Sequence, residues 1–127
     1  MEFPKDLQYT KEHEWIRTSG STVEVGVTAY AIEQLGDIVH VELPSAGETF
    51  SAGAAFGTIE STKTVSDLYM PVSGKISAVN NEAAESPEAL QDNPYEGWLV
   101  KVEVDAASED QLLSHESYEK FVAEQED

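Results

Sequence analysis

The 127-residue chain contains no cysteine. Disulfides, thiolate metal sites and a cysteine nucleophile are therefore excluded. Cations are scarce: 7 Lys and Arg stand against 25 Asp and Glu, a formal net charge of −18. Such a surface repels phosphate backbones and anionic lipids, which argues against nucleic-acid and membrane roles. It suits protein partners with basic docking faces, although solubility or adaptation to salt would produce the same charge. No apolar run approaches the ~18–20 residues that a membrane span requires. The opening stretch MEFPKDLQYTKEHEW has no apolar signal region and carries acids early. That argues against a secretory signal or a basic transit peptide. The expected location is the cytoplasm, or the mitochondrial matrix for a processed eukaryotic chain. The three histidines, His13, His40 and His115, show no metal-ligand spacing. No His-Glu-x-x-His, phosphate loop or nucleophile elbow is present.

What is present is enough for one core. Hydrophobic residues make up 40% of the chain, and the length suits a single domain, with a core over about 7–122. Residues 12–27 read as a hairpin turning at Ser19-Gly20-Ser21. Thr28 caps a short helix, AYAIEQL, that ends at Gly36. Strands are expected over 38–43, 54–60, 65–70, 75–79 and 98–104. Ser86-Pro87-Glu88 starts a helix with Pro at its first position, and 92–95 is a loop. Ser108 to Gln111 has capping-box spacing, and Ser114 is a second cap. The second cap divides the end of the chain into a short turn and a terminal amphipathic helix over the sheet. Leu112, Leu113, Tyr118, Phe121 and Val122 lie near helical spacing. The acidic end, EQED, is expected to fray. Trp15 and Trp98 are assigned to the core and His40 to the surface.

A faint repeat runs through the middle. Pro44-Ser45-Ala46-Gly47 is echoed 27 positions later by Pro71-Val72-Ser73-Gly74. Alternating apolar sets precede each Pro: Val39, Val41 and Leu43, then Leu68 and Met70. Each copy reads as strand, Pro, turn glycine, next strand.

Lys63 lies in the connection between the copies, within TIESTKTVSDLYM. It is the only Lys or Arg from Thr18 to Gly74. Ile59 and Val65 are expected to point into the core, which puts Lys63 at an exposed hairpin tip. An exposed lysine is protonated and a poor nucleophile, and neither desolvation nor a second cation is available to activate it. Lys63 is therefore not a catalyst. Three roles remain open: a solvated surface lysine, an acceptor for a covalent group, and a contact to an acidic partner. Ser61 and Ser66 are assigned to turn chemistry. Glu60 and Asp67 are either solvated acids or part of what a modifying enzyme reads.

ESTKTVSDLYMPVSG resembles the lipoyl-attachment segment of the glycine cleavage H-protein family. KEHEW (11–15), VGVTAYAIEQLGDIVHVELP (25–44), SGKISAVN (73–80) and NPYEGWLVKV (93–102) resemble that family in the same order and spacing, over roughly 7–122. The wider lipoyl-domain pattern has glycines sixteen positions before and eleven after the modified lysine; Gly47 and Gly74 stand there. Thr62 and Thr64 depart from the small apolar residue and alanine usual beside the lysine, but both are small and neutral.

The resemblance implies a mainly β fold with short helices (α+β), a flattened barrel-sandwich hybrid with a C-terminal helix. It implies lipoate joined to Lys63 as lipoyl-lysine, with Glu60, Asp67, Gly47 and Gly74 as recognition features for the lipoate-attaching enzyme. The implied role is a monomeric swinging-arm carrier and not an enzyme. It would take an aminomethyl group from a pyridoxal-phosphate glycine decarboxylase to a tetrahydrofolate-dependent aminomethyltransferase. Dihydrolipoamide dehydrogenase, with FAD and NAD, would reoxidise the arm. A relay that passes lipoate to other complexes is the alternative. A biotinyl domain, with methionines beside its lysine, fits less well, as does a 2-oxoacid dehydrogenase lipoyl domain with Asp before it.

Overall fold

The computed structural model describes residues 3–104 and 112–125. The hairpin expected near the N-terminus is β2 (Glu14–Ser19) and β3 (Thr22–Val27), turning at Gly20. It is preceded by a two-residue strand, β1 (Gln8–Tyr9). Helix α1 (Ala29–Leu35) begins as its sequence implies: the Thr28 hydroxyl accepts from the Ala31 N–H, and Gly36 closes the helix with its N–H on Ile32 O. Then follow β4 (Ile38–Glu42), β5 (Thr49–Phe50), β6 (Ala55–Ser61), β7 (Val65–Tyr69) and β8 (Gly74–Val79). β4 and β7 each stop two residues before a proline, where the residue ahead of the ring is biased away from helix and the ring offers no N–H.

Two short helices, α2 (Asn81–Glu85) and α3 (Glu88–Asp92), precede β9 (Val100–Val104). Pro87 is the cap of α3 and not its first residue, although its backbone is already helical. The capping-box segment 108–111 lies outside the described residues. Ser114 does cap the terminal helix, α4 (His115–Gln125), by accepting from the Ser117 N–H. One end-of-chain expectation needs correction. Leu113 is not helical: it exchanges both backbone bonds with Tyr9 at 2.8 and 2.6 Å, extending the β1 edge. Of the acidic end EQED, Glu124 and Gln125 belong to α4, and its last two residues lie outside the described residues.

The strands form a six-stranded sheet, β1-β2-β3-β9-β8-β5, and a three-stranded sheet, β4-β6-β7, with antiparallel pairing throughout. The two sheets do not close into a barrel. They share one core: Ile16, Val25 and Ile76 from the large sheet meet Val41, Ile59 and Leu68 from the small one. A second cluster lies on the other face of the large sheet. There Tyr9, Trp15, Tyr30, Tyr118 and Val122 pack α4 down. β2 is thus covered on both sides, and Glu14, Trp15 and Ile16 are buried in succession. Trp15 is fully buried, but Trp98 is only half-buried against the same cluster. No described helix is long and apolar enough to cross a membrane.

The repeat survives as pseudo-symmetry. β4 and β7 are the two edges of the small sheet, and β5 and β8 are neighbours in the large one. The two prolines and two glycines link these corresponding pairs.

Candidate functional site

β6 and β7 are paired from Ala55↔Tyr69 to Glu60↔Val65, and residues 62–64 cross between them. Ser61 makes the turn. Its N–H donates to Thr64 O at 2.8 Å, and its side-chain oxygen accepts from the N–H groups of Lys63 and Thr64 at 3.2 Å each. The hydroxyl is the local substitute for ladder bonds, as expected of serine in a turn. A second tie comes from outside the hairpin: the Thr62 N–H donates to Asp37 O at 3.0 Å. The segment around Asp37 is in turn held by α3. Gln91 Oε1 accepts from the Ile38 N–H at 3.1 Å, and its amide nitrogen donates to Gly36 O at 3.4 Å.

On this braced tip Lys63 is exposed, as are Thr62 and Thr64. Its carbon stem lies over Gly36, where a Cβ would stand 3.4 Å from Lys63 Cε and 3.6 Å from Nζ. Among the described residues the ion pairs are Arg17–Glu24 at 3.1 Å and Lys101–Glu24 at 3.7 Å. Neither involves Lys63. No described group of His, Asp or Glu has the arrangement of a metal site.

The other sequence-predicted residues separate into two places. Glu60 and Asp67 are exposed on the same hairpin as Lys63. Gly47 and Gly74 lie along β8 of the large sheet instead: the Gly47 N–H donates to Ile76 O at 2.8 Å, and Gly74 pairs with Phe50 and Val104. Gly74 is buried.

One inward assignment is corrected here, and one apolar alternation is broken. Val65 is 59% exposed, because it is the register partner of the outward Glu60; Ile59 faces Ser66 instead. Val39 is 51% exposed although it alternates with buried Val41. The pairing jumps from Ile38↔Ser61 to His40↔Glu60, so β4 holds one extra residue at that point. Such a bulge puts two successive side chains on one face, and both Val39 and His40 turn outward.

Sequence reasoning missed Glu14. Its side chain is only 2% exposed, and its carboxyl accepts from the Tyr69 N–H on β7 at 2.7 Å. Burial pushes the carboxyl up from 4.5 to about 8, with the Tyr69 N–H acting in the opposite sense. Glu14 ties β2 to the edge of the lysine-bearing hairpin. A signal did exist: Glu14 and Ile16 share a strand face, and Ile16 is core.

Comparison with known proteins settles the family. The profile described as glycine cleavage H-protein matches residues 7–125. The chain belongs to the glycine cleavage H-protein family. It is 51% identical over 124 residues to the glycine cleavage system H protein of Carboxydothermus hydrogenoformans, covering 96% of this chain and 95% of that one. It is 52% identical over 120 residues to that of Bacillus cytotoxicus, covering 93% and 94%. The crystal structure of an H protein from Mycobacterium marinum superposes with a TM-score of 0.86 at 41% identity, over 97% of this chain and 98% of that chain. The two-sheet arrangement is that of the H-protein fold and is consistent with a barrel-sandwich hybrid. H proteins are the lipoyl carriers of the glycine cleavage system and not its catalysts.

Proposed function

We propose that Lys63 is the lipoate-bearing residue of a monomeric, single-domain carrier. The observation that carries this is an exposed amine, outside the described ion pairs, on a tip braced by Ser61, Asp37 and Gln91. The residues present fit the group. Joining lipoate through an amide removes the charge of Lys63, and no described carboxylate loses an ion-pair partner when it does. The stem contact with Gly36 involves carbon and survives the change. Bound lipoate supplies a redox-active dithiolane at the end of a long flexible arm. The protein contributes tethering and presentation, which raise the effective concentration of the arm once a partner docks.

On this reading the partners are glycine decarboxylase, the tetrahydrofolate-dependent aminomethyltransferase, dihydrolipoamide dehydrogenase and a lipoate-attaching enzyme. Glu60, Asp67, Gly47 and Gly74 contribute to recognition by the last. The net charge of −18 favours basic docking faces on each partner. Intact mass of the protein from lipoate-replete cells is the test. The expected result is one lipoyl increment that disappears in Lys63→Arg, with circular dichroism unchanged. An increment that persists in Lys63→Arg would place the arm elsewhere.

A further inference from the structure

Residues 36–38 join the end of α1 to β4 and are held from two sides. In an extended chain, backbone groups two residues apart point to the same edge. On one edge, Asp37 O accepts from the Thr62 N–H at 3.0 Å. On the other, Gly36 O and the Ile38 N–H meet the side-chain amide of Gln91 on α3. Nε2 of Gln91 donates to Gly36 O at 3.4 Å, and Oε1 accepts from the Ile38 N–H at 3.1 Å. Nε2 also reaches Asp37 Oδ1 at 3.5 Å. One side chain thus fills the place that the peptide group of a neighbouring strand would take. Among the described residues no other side chain bonds to 36–38.

The residue type suits the task. An acceptor and a donor are needed in one planar group, and an amide side chain supplies both. An ionised carboxylate of the same length would offer no donor and would face Asp37. Gln91 is itself held in place, because the residue before it, Leu90, is fully buried and anchors α3. Contact therefore runs from Leu90 in the core through Gln91 and residues 36–38 to Thr62, the residue before Lys63. Ser61 sets the shape of the turn, but its bonds are internal to the hairpin. The bond from Thr62 to Asp37 ties that turn to the body, and Gln91 holds the point of attachment. The Lys63 stem rests on the same segment, over Gly36.

We infer that Gln91 is the positioning residue of the arm: it sets where the root of Lys63 sits and in which direction the side chain leaves the body. The inference rests on Lys63 being the lipoate-bearing residue. No hydrogen bond runs from Gln91 to Lys63, so Gln91 acts through residues 36–38. None of its bonds depends on the lysine charge, and they are the same before and after amidation. Gln91 therefore serves the attachment of lipoate and the later reactions of the arm alike. A root that wanders spends less time in the reactive pose once an enzyme has docked. That lowers kcat and leaves docking, and with it KM, alone.

Gln91→Met keeps the length of the side chain and removes both bonding groups. Gln91→Glu keeps the acceptor and, when ionised, loses the donor. Amide exchange measured by NMR at pH 7.5 on the unmodified full-length chain reads the anchor directly. Thr62 is expected to exchange about tenfold faster in both variants, while the paired amides of β6 and β7 keep wild-type rates. Two reactions read the arm: lipoylation by a purified lipoate–protein ligase with ATP and lipoate, and bicarbonate exchange by a purified glycine decarboxylase with the fully lipoylated chain. At both enzymes each variant is expected to lose about tenfold in kcat with KM within about twofold. The control, Gln8→Met at an exposed position on β1, is expected to match the wild type throughout. A wild-type chain that gains no lipoyl increment at Lys63 overturns the reading of Lys63, and this inference with it. Given that increment, the inference alone is overturned if Thr62 exchanges at the wild-type rate in both variants, or if kcat at both enzymes stays at the wild-type value. Faster exchange throughout β6 and β7 also overturns it, since the role would then be merely structural. So does a loss confined to one enzyme, or a rise in KM, which would make Gln91 part of an enzyme's contact surface.

Discussion

Glu14 is the residue whose chemistry differs most from its sequence appearance. In KEHEW it is one of several acids, yet folding puts it between the sheets with the Tyr69 N–H as its main partner. The Tyr69 N–H favours the carboxylate, but burial outweighs it and the group holds its proton up to about pH 8. The folded chain therefore binds a proton that the unfolded chain releases above about 4.5. The stability linked to this site is fully present below pH 4.5 and is lost progressively as pH rises toward 8. Glu14→Gln keeps the acceptor and removes the titration. Urea unfolding at pH 5 and pH 8 should show the wild type losing a few kcal/mol between the two, and the Gln variant losing clearly less. Equal losses in the two proteins would mean that Glu14 ionises normally. Glu14→Ala is a different experiment: it strands the Tyr69 N–H and should destabilise at both pH values by about 1–3 kcal/mol.

At the scale of elements, the two glycines of the repeat look equivalent in sequence and are not equivalent in structure. Gly47 sits in an exposed turn at φ +100, and a Cβ there would have no neighbour within 4 Å. Gly74 lies inside β8, where a Cβ would run into the backbone oxygen of Glu103 and the Val102 side chain. Gly47→Ala should cost about 1–2 kcal/mol of backbone strain. Gly74→Ala must part β8 from β9 and should cost more, about 2–4 kcal/mol. Urea midpoints would rank them; the reverse order would show that β8 and β9 can separate without loss. Legibility in the sequence follows the same division between local and non-local causes. The α1 cap at Thr28, its end at Gly36, the β2–β3 hairpin and the Lys63 tip are set by neighbouring residues, and all are readable along the chain. β1 and β5 have two residues each, too few to show a period, and α2 buries only Ala83. The outward turn of Val39 depends on a bulge against β6, and that of Val65 on a register across the hairpin. Neither can be read along one strand. The candidate attachment lysine is thus visible as a position, while the surface around it needs the pairing.

At the scale of the whole molecule, the charge has a thermodynamic consequence. The formal charge of −18 is spread over a small body, and both described ion pairs converge on one acid, Glu24. Most described carboxylates therefore have no ion-pair partner, and gathering them in the compact state is opposed by their mutual repulsion. Salt should relieve it, since the screening length falls from ~30 Å at 0.01 M to ~10 Å at 0.1 M. Raising NaCl at pH 7.5 should lift Tm by several degrees, corresponding to about 1–2 kcal/mol in a domain of this size. Buried groups are screened much less than exposed ones. The pH dependence that persists in high salt should accordingly be that of Glu14, and Glu14→Gln should nearly abolish it. A Tm that stays flat or falls with salt would show that surface repulsion is not a destabilising force here. The acidity would then act through partner docking and solubility alone. A Tm that rises with salt, together with lipoate attachment that slows with salt, would separate the two consequences of one charge distribution. The same carboxylates weaken the free fold and strengthen its encounter with a basic partner.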